Sequence, residues 1–381
     1  MGVDGGATEV KAHAVVAVSG GLAAGEEHAA FRHVLVPGFT PVPIDVQRRE
    51  RESGRLVIGD LERVQSERWI DSFADAILSV AARAGRTDVW LGVCTPGLKS
   101  RDGRGVEVVR NGPRLVGFLD RLESRLALEG LDVVASIPPL LSDGQACGLG
   151  ELAHPDGGFR GVSNAYYVGG GTGVAECLLL DGRVTSFDEV ESRAEKAWNL
   201  RSTSGRTFED HLSMRGLESR FVEASAQGAP GAADARRTER TAAERIAAEP
   251  GRAQHGDTQH GHTERGHAER GHAECEYVEH AAARGDAAAI ATLQECGARL
   301  GELVEARARV FPIERVVVGQ RLGALLADPT VSRFLRPPLE RATSIPIRAS
   351  TLRAAPAVGA ARRALDARAE SAARARSTTR G

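Results

Sequence analysis

Asp4 and the small residues after it form the first group that could do chemistry. The segment reads Asp4-Gly5-Gly6-Ala7-Thr8 and lies next to an apolar, β-branched run. An acid at a strand end, followed by small residues and a hydroxyl, exposes backbone N–H groups to a phosphate and offers a carboxylate to a cation. The same residues would also make a plain β-hairpin turn. The segment therefore predicts either a phosphate loop through Gly5, Gly6 and Thr8, with a cation at Asp4, or a simple turn.

A second glycine-rich segment covers Gly169–Val174 and reads GGGTGV. The dinucleotide-binding spacing GxGxxG fails, because a valine takes the place of the third glycine. Apolar runs flank the segment on both sides, so we expect a hairpin loop rather than a helix start. Gly171, Thr172 and Gly173 would suit a phosphate clamp.

A third candidate is the pair Ser142-Asp143, which follows the apolar run Leu131–Ser136 and precedes several small residues. A helix is predicted to begin here, and Ser or Asp at that point is often only an N-cap. The functional alternative is that Asp143 is a general base at the edge of a sheet.

Strands and helices alternate along the chain. Apolar, β-branched runs followed by Gly or Pro predict strands over Val10–Val18, Val89–Cys94, Leu131–Ser136, Ala165–Val168, Val174–Leu180 and Arg315–Val318. Apolar residues at helical spacing predict helices over Trp69–Ala84, Leu115–Leu128, Asp143–Leu152, Tyr277–Ala308 and Pro356–Ala369. Asp181-Gly182 is typical of a hairpin turn. The mixture favours an α/β fold.

Residues 226–275 break this pattern. They are rich in Ala, Arg, Glu, Gly and His, repeat the five-residue unit Gly-His-x-Glu-Arg, and almost lack large apolar side chains. Such a segment buries too little surface to offset its ordering entropy, so we predict a disordered insertion. Its histidines have no surrounding scaffold to fix a metal geometry. Residues 367–381 are predicted to be a flexible tail.

Composition excludes several classes of protein. The 49 Lys and Arg residues balance 51 Asp and Glu residues, so no basic excess points to nucleic acid or to a membrane surface. Only Lys11, Lys99 and Lys196 are lysines, and none follows a glycine, which excludes a P-loop. The five cysteines form no CxxC pair and fit reduced thiols.

No membrane span or signal peptide is recognisable, which predicts a cytoplasmic protein. Only three residues precede Asp4, fewer than the ~5–6 of a typical strand, which predicts coding sequence upstream.

Two strand–glycine turns with an acid-bearing helix start between them are typical of the actin-like ATPase (ribonuclease H-like) fold, in which a nucleotide cleft separates two lobes. The sequence further resembles the ROK family of repressors and sugar kinases. The segments that carry this resemblance are Asp4–Thr8, Gly92–Gly97, Asn111, Asp143 with Glu151, Gly171–Gly173, Glu209 with Ser213, Val316–Gly319 and Ala357–Ala361.

The resemblance implies an ATP-dependent kinase that transfers the γ-phosphate to a hydroxyl of a hexose or hexose derivative. Asp143 would be the catalytic base, and Asp4 would hold Mg²⁺ directly or through water. The glycine loops and Gly319 would bind ATP. The implied sugar contacts are Asn111, Ser142, Asp143, Glu195, Trp198 and Glu209. The implied lobes cover 1–140 and 141–366, interrupted by the insertion, and the family resemblance favours a homodimer.

Three departures from the family pattern bear on this prediction. Ser142 replaces the usual Asn before the catalytic Asp, and Trp198 replaces the sugar- and zinc-binding His of the ExGH element, of which Glu195 remains. The family's CxCGxxGC cluster is missing, so we expect no structural zinc. The alternative that these changes leave open is a non-catalytic, sugar-sensing or regulatory protein.

Overall fold

The computed structural model describes residues 1–227, 278–352 and 354–378. Two mixed β-sheets, each covered by helices, confirm the predicted two-lobed α/β fold of the actin-like type. The predicted disordered insertion lies outside the described residues, apart from 226 and 227 at the end of a helix. No helix in the described part of the chain combines the length and apolar character that a membrane crossing requires.

The first sheet has the strand order β3-β2-β1-β5, in which β1 and β5 run parallel. Its strands are β1 (Gly2–Gly5), β2 (Glu9–Val18), β3 (Gly21–Arg32) and β5 (Gly92–Cys94). Two short pairs flank it, β4 (Asp88–Val89) with β8 (Asp132–Val133) and β6 (Leu98–Lys99) with β7 (Val106–Val108). The helices of this lobe are α1 (Ile44–Ser53), α2 (Asp60–Arg83) and α3 (Phe118–Leu128). Their apolar faces build a core around Trp69, Phe73 and Phe118.

The second sheet has the order β11-β10-β9-β12-β13. Its strands are β9 (Ala165–Gly170), β10 (Val174–Leu180), β11 (Arg183–Ser186), β12 (Arg315–Gly319) and β13 (Ile347–Ala349). The helices of this lobe are α5 (Glu209–Leu212), α6 (Met214–Gln227), α7 (Ala287–Ala308), α8 (Gln320–Ala327) and α9 (Pro329–Ala342).

Two helices lie between the sheets, α4 (Asp143–Ala153) and α10 (Ala355–Thr378). Helix α4 packs against β10 and α10, and α10 packs in turn against β1 and β5. Glycines permit this close approach: a Cβ on Gly144 would lie 2.3 Å from the Glu176 carbonyl oxygen, and one on Gly359 would lie 1.8 Å from that of Ala146. The closing helix, predicted with the second lobe, thus also contacts the first sheet.

Several predicted elements differ from those observed. The helix predicted over Tyr277–Ala308 is interrupted at Gly285, which has a φ of +91°. A new helix begins after this glycine, and Asp286 is its N-cap. Strand β3 escaped prediction because its sequence GLAAGEEHAAFR lacks β-branched residues. Helix α10 runs on to Thr378, past the predicted start of the tail at 367. The Asp181-Gly182 turn is confirmed, since both residues have positive φ, as a type I′ hairpin turn requires.

Candidate active site

Parallel pairing brings Asp4 and Asp143 to the carboxyl ends of neighbouring strands in the first sheet. Asp4 on β1 is the register partner of Cys94 on β5, and Cys94 forms a parallel bridge to Leu141. Ligand sites in open α/β sheets lie beyond the carboxyl ends of parallel strands, and these two acids stand at such an edge.

Asp143 is the first residue of α4, but it is not the cap. The Ser142 hydroxyl oxygen accepts from the Gln145 N–H at 3.1 Å, and Asp143 Oδ1 accepts from the Gly144 N–H at 2.9 Å. Burial raises the pKa of the Asp143 carboxyl, and the Gly144 N–H with the ammonium groups of Lys99 and Lys196 pull that pKa back down. Ser142 is therefore the N-cap of α4, and the Asp143 carboxylate lies within electrostatic reach of two lysine ammonium groups.

Asp4 has the chemistry of a magnesium ligand. Burial raises the pKa of its carboxyl to about 6; the Lys11 charge lowers that pKa, and the neighbouring Asp143 raises it. Cys94 Sγ lies 3.7 Å from Asp4 Oδ1. Among the described residues no three His, Cys, Asp or Glu side chains cluster as metal ligands. Mg²⁺ needs no such cluster, because it is usually held by one or two carboxylates together with substrate phosphates and water. Two neighbouring acids with raised pKa values fit such a cation.

The first glycine segment is the tight hairpin turn between β1 and β2. Within it the Gly6 N–H donates to the Glu9 carbonyl at 2.9 Å, and Thr8 is exposed at the tip. His33 Nε2 lies 3.1 Å from the Gly6 carbonyl oxygen, and its ring stacks on Trp69 at 3.9 Å. Burial lowers the pKa of His33 to about 4, so a neutral imidazole supports this turn.

The second glycine segment is the hairpin turn between β9 and β10. The Gly171 N–H donates to the Gly173 carbonyl at 2.9 Å, and Thr172 is exposed. Gly319 and Gln320 lie alongside, because Gly170 bridges to Gln320 and a Cβ on Gly171 would lie 2.9 Å from Gln320 Oε1. The predicted phosphate and adenosine loops are therefore neighbours.

A cavity of about 620 Å³ opens between the lobes. Its lining residues are Arg48, Arg51, Glu52, Leu98 and Lys99 from the first lobe and Asp188, Glu191, Glu195, Lys196, Trp198 and Asn199 from the second. Two predicted sugar-binding residues are among them. The Trp198 ring lies 4.9 Å from the Arg48 guanidinium carbon, and Glu195 Oε1 accepts from the Asn199 amide.

A buried ion pair positions the wall of this cavity. Glu176 Oε2 accepts from Arg307 Nη2 at 3.0 Å and from the Tyr166 hydroxyl at 2.7 Å. Its other oxygen accepts from the Ala197 N–H at 2.6 Å. Ala197 lies between Lys196 and Trp198, so the core network fixes the backbone that carries both side chains into the cavity.

Glu209 and Asn111 lie elsewhere in the cleft region. Glu209 Oε1 pairs with Arg110 Nη1 at 2.5 Å and with Arg215 Nη2 at 3.2 Å, and its Oε2 accepts from the Val174 N–H at 3.4 Å. Asn111 is exposed beside Arg110. Neither residue lines the cavity that contains Glu195 and Trp198, so the roles of both as sugar contacts stay predictions.

Sequence reasoning missed Lys99, Lys196 and Arg110. Lys99 Nζ donates to the carbonyl oxygens of Thr95 and Gly97 at 2.6 and 2.7 Å, and Lys196 pairs with Asp188. The rarity of lysine was a usable signal, because two of the three lysines line one cavity.

The fold has clear counterparts among solved structures, whereas no family model and no curated protein matches the sequence. A ROK family glucokinase from Streptomyces griseus, in complex with glucose and AMPPNP, superposes with a TM-score of 0.57 at 16% identity, over 94% of this chain and 97% of its own. An inorganic polyphosphate/ATP-glucomannokinase from Arthrobacter sp. strain KM gives a TM-score of 0.54 at 16% identity, over 96% and 97%. A ROK hexokinase from Thermus thermophilus gives 0.51 at 17% identity, over 94% and 95%. The chain therefore has the two-lobed, actin-like fold of the ROK family sugar kinases.

Proposed function

We propose that the protein is an ATP-dependent kinase that transfers the γ-phosphate to a hydroxyl of a hexose or hexose derivative. The observation that carries the proposal is the meeting of Asp143 and Asp4 at one strand edge, where two charged lysines and a neighbouring interlobe cavity accompany Asp143. Phosphoryl transfer depends chiefly on positioning and charge neutralisation, and this arrangement offers both.

In this proposal Asp143 accepts the proton of the acceptor hydroxyl as its oxygen attacks the γ-phosphorus. Asp4 holds Mg²⁺, which would neutralise charge on the phosphates when bound. The backbone of Gly5, Gly6 and Gly171–Gly173, together with Thr8 and Thr172, contacts the phosphates, as expected of glycine loops in a chain without a P-loop lysine.

The cavity and the solved structures of the same fold support a sugar as the acceptor. Trp198 offers a ring and Glu195 a carboxylate, which suit the apolar face and the hydroxyls of a sugar. The Streptomyces griseus glucokinase was solved with glucose and an ATP analogue, which favours the same pair of ligands here.

The proposal predicts the behaviour of Asp143→Asn. Loss of a general base lowers rates by about 10²–10⁴-fold, so we expect kcat to fall by that factor while ATP binding persists. ADP release, measured with ATP, Mg²⁺ and a panel of hexoses, N-acetylhexosamines and polyols, gives kcat. A fluorescent ATP analogue gives the affinity. Asp132→Asn, which makes the same change at an exposed acid of the first lobe, is the matched control.

Activity of Asp143→Asn within tenfold of the wild type would overturn the role of Asp143. A wild-type protein that binds sugars, yet releases no sugar-dependent ADP with any member of the panel, would favour the non-catalytic, sugar-sensing alternative.

A further inference from the structure

Lys99 holds an ammonium group in the cleft whose placement is fixed by a tight turn. The turn follows β5, and two of its carbonyl oxygens, those of Thr95 and Gly97, accept from Lys99 Nζ at 2.6 and 2.7 Å. Gly97 adopts a φ of +96°, and a Cβ there would lie 2.4 Å from the Val108 carbonyl oxygen. The turn therefore has little freedom, and neither does the ammonium it holds.

An ammonium group has three N–H donors, and the turn uses two of them. No ion pair joins Lys99 to a carboxylate among the residues that the structure describes. The other cavity lysine differs, because Lys196 Nζ pairs with Asp188. Lys99 therefore has one N–H donor left for a ligand, and no paired carboxylate of the described residues neutralises its charge.

The charge of Lys99 acts where the proposed reaction occurs. Lys99 lines the interlobe cavity, and its ammonium lowers the pKa of the Asp143 carboxyl. The acceptor hydroxyl would lie against Asp143, so the phosphoryl group would arrive beside Lys99. Asp4 and its Mg²⁺ would act on the phosphates of ATP, whereas Lys99 is a compact point charge on the acceptor side.

We infer that Lys99 is a further catalytic residue, whose ammonium binds a non-bridging oxygen of the phosphoryl group during its transfer to the acceptor at Asp143. This inference rests on the proposed kinase function. The acceptor O–H proton passes to Asp143 while the acceptor oxygen–phosphorus bond forms. The bond from phosphorus to the β–γ bridging oxygen breaks, and ADP leaves with that electron pair. Lys99 neither gains nor loses a proton.

The kinetic test compares Lys99→Met with Lys99→Arg. Removing one preorganised donor to transition-state charge lowers kcat by about 10²–10³-fold, so we expect that loss for Lys99→Met. Lys99→Arg keeps the charge and should recover part of the loss. Arg86→Met removes a surface cation paired with Asp88 and should leave kcat unchanged. A purely structural role would make both Lys99 variants equally poor, and that outcome, or a wild-type kcat in Lys99→Met, overturns the inference.

A second measurement needs neither turnover nor a folded Lys99→Met. Incorporation of ¹³Cε-labelled lysine into the wild type marks the three lysines without changing their N–H groups, and single Lys→Arg variants assign the signals. The Lys99 signal should shift on addition of Mg²⁺ with AMPPNP but not with ADP, because only AMPPNP has a γ-phosphoryl group. A Lys99 signal that AMPPNP leaves in place overturns the inference. A wild type that shows this shift yet phosphorylates no sugar contradicts the proposed function alone.

Discussion

Asp143 and Lys99 are needed in opposite protonation states by the proposed reaction. A base must be ionised, and a cation that binds a phosphoryl oxygen must keep its proton. Burial raises the pKa of Asp143 and lowers that of Lys99 to about 8, so the same desolvated cleft brings both titrations towards neutrality. At the scale of single residues, the site is thus tuned by burial, and each charge partly offsets the effect of burial on the other.

A bell-shaped pH dependence of kcat/KM follows. The rate should rise as Asp143 loses its proton and fall above a pH of about 8, where Lys99 loses its own. The groups facing this pair include Lys196, Asp188 and Cys94; the Cys94 thiol stays protonated because burial raises its pKa well above the usual value. The profile would be measured with saturating Mg²⁺ and ATP from about pH 5 to about pH 10.

Lys99→Arg is the control for this profile. Arginine stays charged throughout the range, so the alkaline limb should move to higher pH while the acid limb remains. An alkaline limb that is identical in the variant would assign it to another group.

Asp4, Asp143 and the glycine loops are predictions from local sequence patterns, in which an acid or a run of glycines stands beside small residues. Lys99 could not be predicted in this way, since its role depends on which turn holds its ammonium and which acid lies nearby. The structural role of Glu176 could not be predicted for the same reason. It is an acid within an apolar strand, and only the fold brings it to its partner Arg307.

At the scale of elements, α4 positions Asp143, the proposed general base, by packing closely between β10 and α10. Its sequence DGQACGLGELA presents small residues to both neighbours. The helix itself was predicted almost to the residue, because its cap and small-residue pattern are local. The closeness of α10 was not predictable, since it depends on glycines that are distant in sequence, such as Gly359.

Gly359→Ala should therefore destabilise the protein. The added Cβ would lie 1.8 Å from the Ala146 carbonyl oxygen, and backbone atoms cannot yield as a flexible side chain can. Overpacking of this kind costs about 1–3 kcal/mol in the free energy of unfolding, measurable by urea denaturation. Activity should fall as well, because the displaced partner is the helix that carries Asp143.

Gly25→Ala is the matched control, since its Cβ would meet only ordinary contacts of 3.4 Å or more. If Gly359→Ala unfolds at the same urea concentration as Gly25→Ala, α4 and α10 are not packed as described.

At the scale of the whole molecule, an ion pair joins the two lobes outside α4 and α10 in the part of the chain that the structure describes. Arg110 belongs to the first lobe and pairs with Glu209 of the second, and Glu209 also accepts from the Val174 N–H beside the second glycine loop. This chain of contacts joins the segment that contains Asn111 to a predicted phosphate loop. A two-lobed fold of this kind could be predicted from the order of its motifs, but the contacts that couple the lobes could not, because they join residues about a hundred positions apart in the sequence.

Arg110→Gln should weaken that coupling while barely changing stability. The Arg110 side chain is 46% exposed whereas that of Glu209 is 11% exposed. Arg215 still pairs with Glu209 in the variant, so the Glu209 carboxylate keeps a partner and the free energy of unfolding should change by only about 0–1 kcal/mol. The variant, however, loses an ion pair that joins the two lobes, so KM for sugar and for ATP should both rise several-fold. Arg215→Gln removes the other partner of Glu209 from within the second lobe and should leave both KM values near those of the wild type. If the two variants behave alike, Glu209 matters only as a locally neutralised acid, and the ion pair between the lobes has no part in bringing sugar and nucleotide together.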